Sequence, residues 1–116
     1  MNTINRLVAI IKPKQPFLDW LESLPDWDEE LTLDELRADC TAILIPEFGS
    51  NEQGLRYIEK MHKTIFEMQL NDWHTDDSVW PKNRSLQAFH QWFDIEIHSR
   101  IYDSVKDSII RESMEE

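Results

Sequence analysis

A long amphipathic helix constrains this chain more than any other feature. Apolar residues recur in steps of three and four along the segment 52–72, which places them on one face of a helix. Ser50 or Asn51 stands where an N-cap is expected. A helix with one apolar face has to bury that face against a second layer, so the rest of the chain must supply one. The stripe consists of Leu55, Ile58, Met61, Ile65 and Met68.

Two short runs rich in β-branched residues predict buried strands. The first covers residues 7–12 and ends at Pro13, and the second covers residues 41–45 and ends at Pro46. If the helices between them form a crossover connection, we expect the two strands to be parallel and the crossover to be right-handed.

Two short helices are predicted between these strands. The first begins at Pro16 and ends at Pro25, because proline favours the first helical turn and stops a helix further along. Thr32 followed by Glu35 has the spacing of a capping box, which predicts the start of the second helix.

The period of the pattern changes to two near the end of the chain. Ser85 caps a short helix, and from Phe93 apolar residues then alternate with charged and polar ones, which predicts a half-buried strand. The fold class is therefore α+β, a small sheet of about three strands with helices packed on one face, in the order β-α-(α)-β-α-α-β. We expect one acidic domain over residues 1–116, with residues 106–116 as a loosely packed tail.

Several classes of function are excluded by composition. Only two glycines occur, so neither a Rossmann fingerprint nor a P-loop can be built, and a single cysteine, Cys40, rules out an intramolecular disulfide. The apolar run after Arg6 is too short for a signal peptide or a membrane span. We expect a cytoplasmic protein with no bound cofactor. The segments 79–85 and 92–99 resemble stretches of small bacterial proteins without an assigned function, which implies a bacterial source and no particular activity.

The charge is strongly negative and unevenly distributed. The chain has a net charge of −11, which disfavours direct binding to nucleic acid or to an anionic membrane. The stretch 19–39 contains nine carboxylates and a single base, Arg37, so it carries most of this charge. Such a local field attracts a protein partner with a basic surface. We predict that the partner contacts Trp27 and the acidic residues around it, Asp26, Asp28, Glu29, Glu30, Asp34 and Glu35.

The favoured function is thus a non-enzymatic interaction module of the inhibitor, adaptor or immunity type, without catalytic residues. The alternative is a small metal-binding protein or metal-dependent enzyme, because imidazole and carboxylate side chains suit zinc or non-haem iron. Its ligands would be His90, Glu96 and His98 of the last strand, joined by His74. Mimicry of nucleic acid by the carboxylates is a third hypothesis, which ranks below general protein binding because the acids cluster in one stretch.

Overall fold

The structure is a computed structural model that describes residues 1–114. It is an α+β fold, as predicted. The strands are Asn2–Thr3 (β1), Arg6–Pro13 (β2), Thr41–Pro46 (β3), Phe93–His98 (β4) and Tyr102–Asp103 (β5). The helices are Gln15–Ser23 (α1), Leu33–Leu36 (α2), Asn51–Lys60 (α3), His62–Trp73 (α4) and Leu86–Trp92 (α5), with a 3₁₀ turn at Asp77–Val79.

The main sheet has three antiparallel strands in the order β3-β2-β4. The expectation that the first two strands run parallel was wrong. The guanidinium of Arg37, directly after α2, donates to the carbonyl of Pro13 at the end of β2 (2.9 Å). The helical connection therefore returns to the end of β2 that it left, and β3 has to run back along β2.

Helices cover one face of this sheet, as the sequence predicted. Along β2, Leu7, Ala9 and Ile11 are buried, while the alternate positions Val8 and Ile10 remain partly exposed. This alternation follows from the pleat, since successive side chains point to opposite faces. The open face also carries polar side chains of β4.

The helix α3 lies unusually close to the covered face at Gly54. A Cβ atom at this position would come within 3.1 Å of both Ile45 Cδ1 and Ile97 Cγ2, and within 3.6 Å of Leu7 Cδ1. A side chain at this position would crowd the sheet, which favours glycine here although the helix itself would favour alanine.

The core behind the sheet is largely aromatic. Four phenylalanines are almost fully buried, namely Phe17, Phe66, Phe89 and Phe93. Phe93 lies at their centre, with ring centroids 5.2 Å from Phe66, 5.4 Å from Phe89 and 5.6 Å from Phe17. The tilted and edge-on arrangements of these rings are the geometries that aromatic pairs prefer.

The long helix predicted over 52–72 is divided at Met61. Its first part is α3, its second part is α4, and Met61 between them departs from helical geometry (φ −101°, ψ 11°). The imidazole Nδ1 of His62 lies 2.8 Å from the carbonyl oxygen of Glu59, which a continuous helix would offer to the backbone N–H of residue 63. At the break, the backbone N–H of Met61 donates to the carbonyl of Ile58 (2.9 Å), which is a tighter turn than the α-helical bond to residue 57.

The N-terminal strand β1 pairs with β5 in a two-residue ladder, which the sequence did not predict. Beyond it, residues 104–114 have no helix or strand, and their large apolar side chains, including Val105, Ile109 and Ile110, are exposed. Residues 115 and 116 of the predicted tail lie outside the described part of the chain.

Candidate functional site

The loop between α1 and α2 presents carboxylates that lack basic partners. Asp28, Glu29 and Glu30 are all exposed, and within residues 1–114 none of them lies within 4.0 Å of a basic nitrogen. The one base of this stretch, Arg37, is turned away to Pro13 and to Asp94, whose carboxylate is 3.2 Å from its guanidinium. The negative field of the loop is therefore not compensated locally.

Of the remaining predicted acids, Asp26 and Glu35 have local partners. Asp26 lies 3.4 Å from His74 Nε2. Asp34 and Glu35 belong to the first turn of α2, where Glu35 and Thr32 form the predicted capping box. Negative charge at the start of a helix is favourable, so these two acids also stabilise α2.

Trp27 is half-buried, and it packs against Trp73, which was not among the predicted partner-binding residues. The ring centroids of Trp27 and Trp73 are 5.9 Å apart, and Trp73 remains 42% exposed. The indole N–H of Trp27 is shielded from solvent and has no hydrogen-bond acceptor in the described part of the chain. Of the pair, Trp73 offers the larger surface to a partner.

The structure adds a second group of acids to the site. Asp72 lies in the last turn of α4, Asp76 caps the 3₁₀ turn that follows and Asp77 begins it, and all three are exposed. Their position follows from two indole hydrogen bonds, Trp20 Nε1 to Val79 O (2.9 Å) and Trp80 Nε1 to His74 O (2.8 Å). The site is therefore a tryptophan pair between two acidic segments, 26–30 and 72–77, which we call the acidic surface.

Asp76 is held in its charged form. The hydroxyl of Ser78 donates to its carboxylate (2.7 Å), as does the backbone N–H of Ser78 (3.0 Å), and these bonds lower the pKa of Asp76 below its ordinary value. Hydrogen bonds to a carboxylate favour its ionised form. This part of the acidic surface thus remains negative at neutral pH.

The residues of the alternative metal site are held by separate partners. His90 belongs to α5, not to the last strand, and its Nε2 lies 2.6 Å from a carboxylate oxygen of Glu59 on α3. His74 faces Asp26, while His98 and Glu96 pair on the open face of the sheet (3.2 Å). No three His, Cys, Asp or Glu side chains of residues 1–114 are placed to hold a metal ion. Metal binding stays a prediction, and a common site would need these side chains to move.

On the open face of the sheet, Glu96 pairs with both Lys12 and His98. Lys12 Nζ lies 2.6 Å from its carboxylate, and this hydrogen bond, followed by that of His98, lowers the pKa of Glu96 below its ordinary value of 4.5. A lowered pKa in the folded state means that the stabilisation is present above pH 4.5 and is lost as the pH falls through the folded value.

Replacing Lys12 should reduce the shift in the pKa of Glu96. In Lys12→Met we expect the pKa of Glu96, followed by NMR titration of its side-chain carboxyl carbon, to rise towards 4.5 because the largest cause of the shift is removed. Lys106→Met, at an exposed position in the tail, serves as the control and should leave the pKa unchanged. An unaltered titration of Glu96 in Lys12→Met would contradict the ion pair.

Cys40 is partly buried, and its surroundings disfavour the thiolate. Its Sγ lies 3.2 Å from the carbonyl oxygen of Arg37, and burial, the largest cause, raises the pKa of the thiol above its ordinary value. The thiolate is the reactive form, so a raised pKa lowers the reactivity of Cys40.

One shallow groove lies away from these residues. It has a volume of about 660 Å³ and includes Arg6, Tyr57 and Arg111 in its lining. Neither the tryptophan pair nor an acid of the acidic surface contributes to it.

Comparison of the chain with known protein families, with curated proteins and with solved structures finds no match. Within residues 1–114, no helix combines the length and the apolar character that crossing a membrane requires.

Proposed function

We propose that this protein is a non-enzymatic interaction module whose acidic surface binds a protein partner with a basic surface. The observation that carries the proposal is the run of exposed carboxylates at Asp28, Glu29 and Glu30, which have no basic neighbours within 4.0 Å among residues 1–114. Carboxylates left unneutralised by their own chain attract basic residues of another protein and raise the rate of encounter.

The tryptophan pair supports the same reading. Aromatic side chains are enriched at the centres of protein interfaces, where charged residues surround them. Trp73, at 42% exposure, has acidic residues before and after it in the chain, and it contacts Trp27 of the acidic loop. An apolar anchor between two acidic segments suits a partner that combines basic and apolar side chains.

The unsatisfied indole N–H of Trp27 is a further support. A buried donor without an acceptor costs about 1–3 kcal/mol. A small shift of the loop on binding that gives this N–H an acceptor would recover part of that cost. The loop between α1 and α2 is suited to such a shift, because residues 26–32 contain no helix or strand.

Charge reversal in the loop tests the proposal. We expect the wild-type protein to capture one stoichiometric partner with a basic surface from a lysate of the source organism at low salt. For that partner in purified form, the triple variant Asp28→Lys, Glu29→Lys, Glu30→Lys should bind about 10-fold more weakly or worse, because attraction becomes repulsion.

A matched variant separates the local field from the overall charge. Glu52→Lys, Asp107→Lys and Glu112→Lys together change the net charge by the same amount at exposed positions outside the acidic surface. This control should retain most of the affinity. Equal losses in the two triple variants, or the absence of any stoichiometric partner at low salt, would remove the basis of the proposal.

A further inference from the structure

A cleft opens beside the tryptophan pair, between α2, the start of β3 and the end of α4. Its volume is about 280 Å³. Sites for small molecules begin near about 300 Å³, so this cleft is the right size for a single long side chain of a partner. Trp73 forms part of its wall, which makes the cleft continuous with the acidic surface.

The inner wall of the cleft is apolar. Ile11, Phe17 and Leu36 contribute to it, and all three belong to the buried core. A side chain that enters the cleft therefore has to present methylene groups to these residues, as the stems of arginine and lysine do.

The polar lining of the cleft is made of acceptors for a cation. Asp39 and Asp72 supply two carboxylates, while the indole of Trp73 supplies an aromatic surface. The two nearby bases are already engaged, since Lys12 lies 2.6 Å from Glu96 and Arg37 lies 3.2 Å from Asp94. The acids of the cleft are thus open to a cation from outside.

A buried amide adds a third acceptor. Gln69 lines the cleft and is only 8% exposed, and its two hydrogen bonds both involve the hydroxyl of Thr41 (2.9 and 3.3 Å). A glutamine carbonyl has two lone pairs, so the bond with Thr41 leaves one of them for a donor in the cleft. Apolar walls with a few polar groups of this kind are typical of binding sites.

We propose that this cleft binds the side chain of one arginine from the basic partner. The guanidinium group stacks on Trp73 and donates to Asp39, Asp72 and Gln69, while its stem covers the apolar wall. Arginine is favoured over lysine because its planar group stacks on aromatic rings and its five N–H donors match several acceptors. This inference rests on the proposed function and names the contact by which the acidic surface would recognise its partner.

The test uses a short peptide with a single arginine, acetyl-Gly-Gly-Arg-Gly-Gly-amide, titrated into ¹⁵N-labelled protein. The comparison peptide contains citrulline, which has nearly the same shape and no charge. The signals to follow are the side-chain amide of Gln69 and the indole N–H of Trp73. We expect the arginine peptide to shift both signals and to bind about five-fold more tightly than the citrulline peptide.

Two variants locate the site. Asp72→Asn and Trp73→Ala should each weaken binding of the arginine peptide by about three-fold or more, whereas Asp107→Asn, a matched change at an exposed position of the tail, should not. Equal binding of the two peptides, or equal losses in Asp72→Asn and Asp107→Asn, would overturn the assignment of the cleft.

A hexa-arginine peptide separates this inference from the proposed function. The first outcome is that this peptide binds the wild type, binds the triple reversal at residues 28–30 more weakly, and binds Asp72→Asn as well as the wild type. That outcome would contradict the cleft assignment and support the proposed function of the acidic surface. If neither arginine peptide binds at low salt, both are contradicted. If the triple reversal and Asp72→Asn both weaken binding of hexa-arginine, the result supports the cleft assignment and the proposed function together.

Discussion

Phe66→Ala is expected to lower the free energy of unfolding by about 3–5 kcal/mol, measured by urea denaturation at neutral pH. Phe66 is fully buried and its ring contacts Trp92 (5.3 Å) and Phe93 (5.2 Å) between α4, α5 and β4. Removal of the ring leaves a cavity that these rigid aromatic neighbours cannot fill, so the cost includes both lost burial and lost contacts.

A phenylalanine outside the core provides the control for this variant. Phe48 is half-buried at the loop before α3 and contacts Tyr57 (5.6 Å). Because less of its surface is removed from water, Phe48→Ala should cost less than half as much as Phe66→Ala. A loss below about 1 kcal/mol in Phe66→Ala would show that the aromatic core is not packed as described.

Gly54→Leu is expected to lower the free energy of unfolding by about 2–3 kcal/mol through overpacking. A Cβ atom alone would already meet methyl groups of Ile45 and Ile97 at 3.1 Å, and leucine places three further carbons against the sheet. The better helix propensity of leucine offsets only about 1 kcal/mol of the strain.

Arg56→Leu introduces the same side chain at an exposed position of α3, and its stability should change by no more than about 0.5 kcal/mol. If Gly54→Leu proved as stable as the wild type in urea, α3 could not approach the sheet as closely as the structure has it.

Much of the secondary structure followed from local patterns of apolar spacing and capping residues. The alternation from Phe93 onward predicts a strand with one buried face, and Ser85 at the cap position predicts the helix before it. Both are in the structure. The direction of β3 did not follow, since the connection from residue 14 to residue 40 is long enough to return at either end of β2.

The candidate site was also predicted only in part. The charge of the loop after α1 is visible in the sequence, because the acids are consecutive. The proximity of this loop to Asp72 and Trp73 cannot be read from the sequence. It depends on the hydrogen bond from Trp20 to Val79 and on the contact between the indoles of Trp27 and Trp73. The tryptophans at 73 and 80 were the available signal, since large aromatic residues in a polar loop indicate anchor points.

The helix break at Met61 did not follow from the sequence, because the apolar stripe continues through it. Ile58 and Ile65 on either side are both fully buried. The break lies in the backbone of Met61 and in the bond from its N–H to the carbonyl of Ile58, and the segment 58–65 contains neither proline nor glycine to announce it.

If the acidic surface binds its partner through charge, the affinity of the complex must fall as the salt concentration rises. With the purified partner, isothermal titration calorimetry at 50 and 300 mM NaCl should give a dissociation constant that rises by about 10-fold or more, because salt screens charges separated by more than about 10 Å. The triple reversal at residues 28–30 should bind weakly at both concentrations. An affinity that is equal in the two salts and unchanged by the reversal would contradict the account.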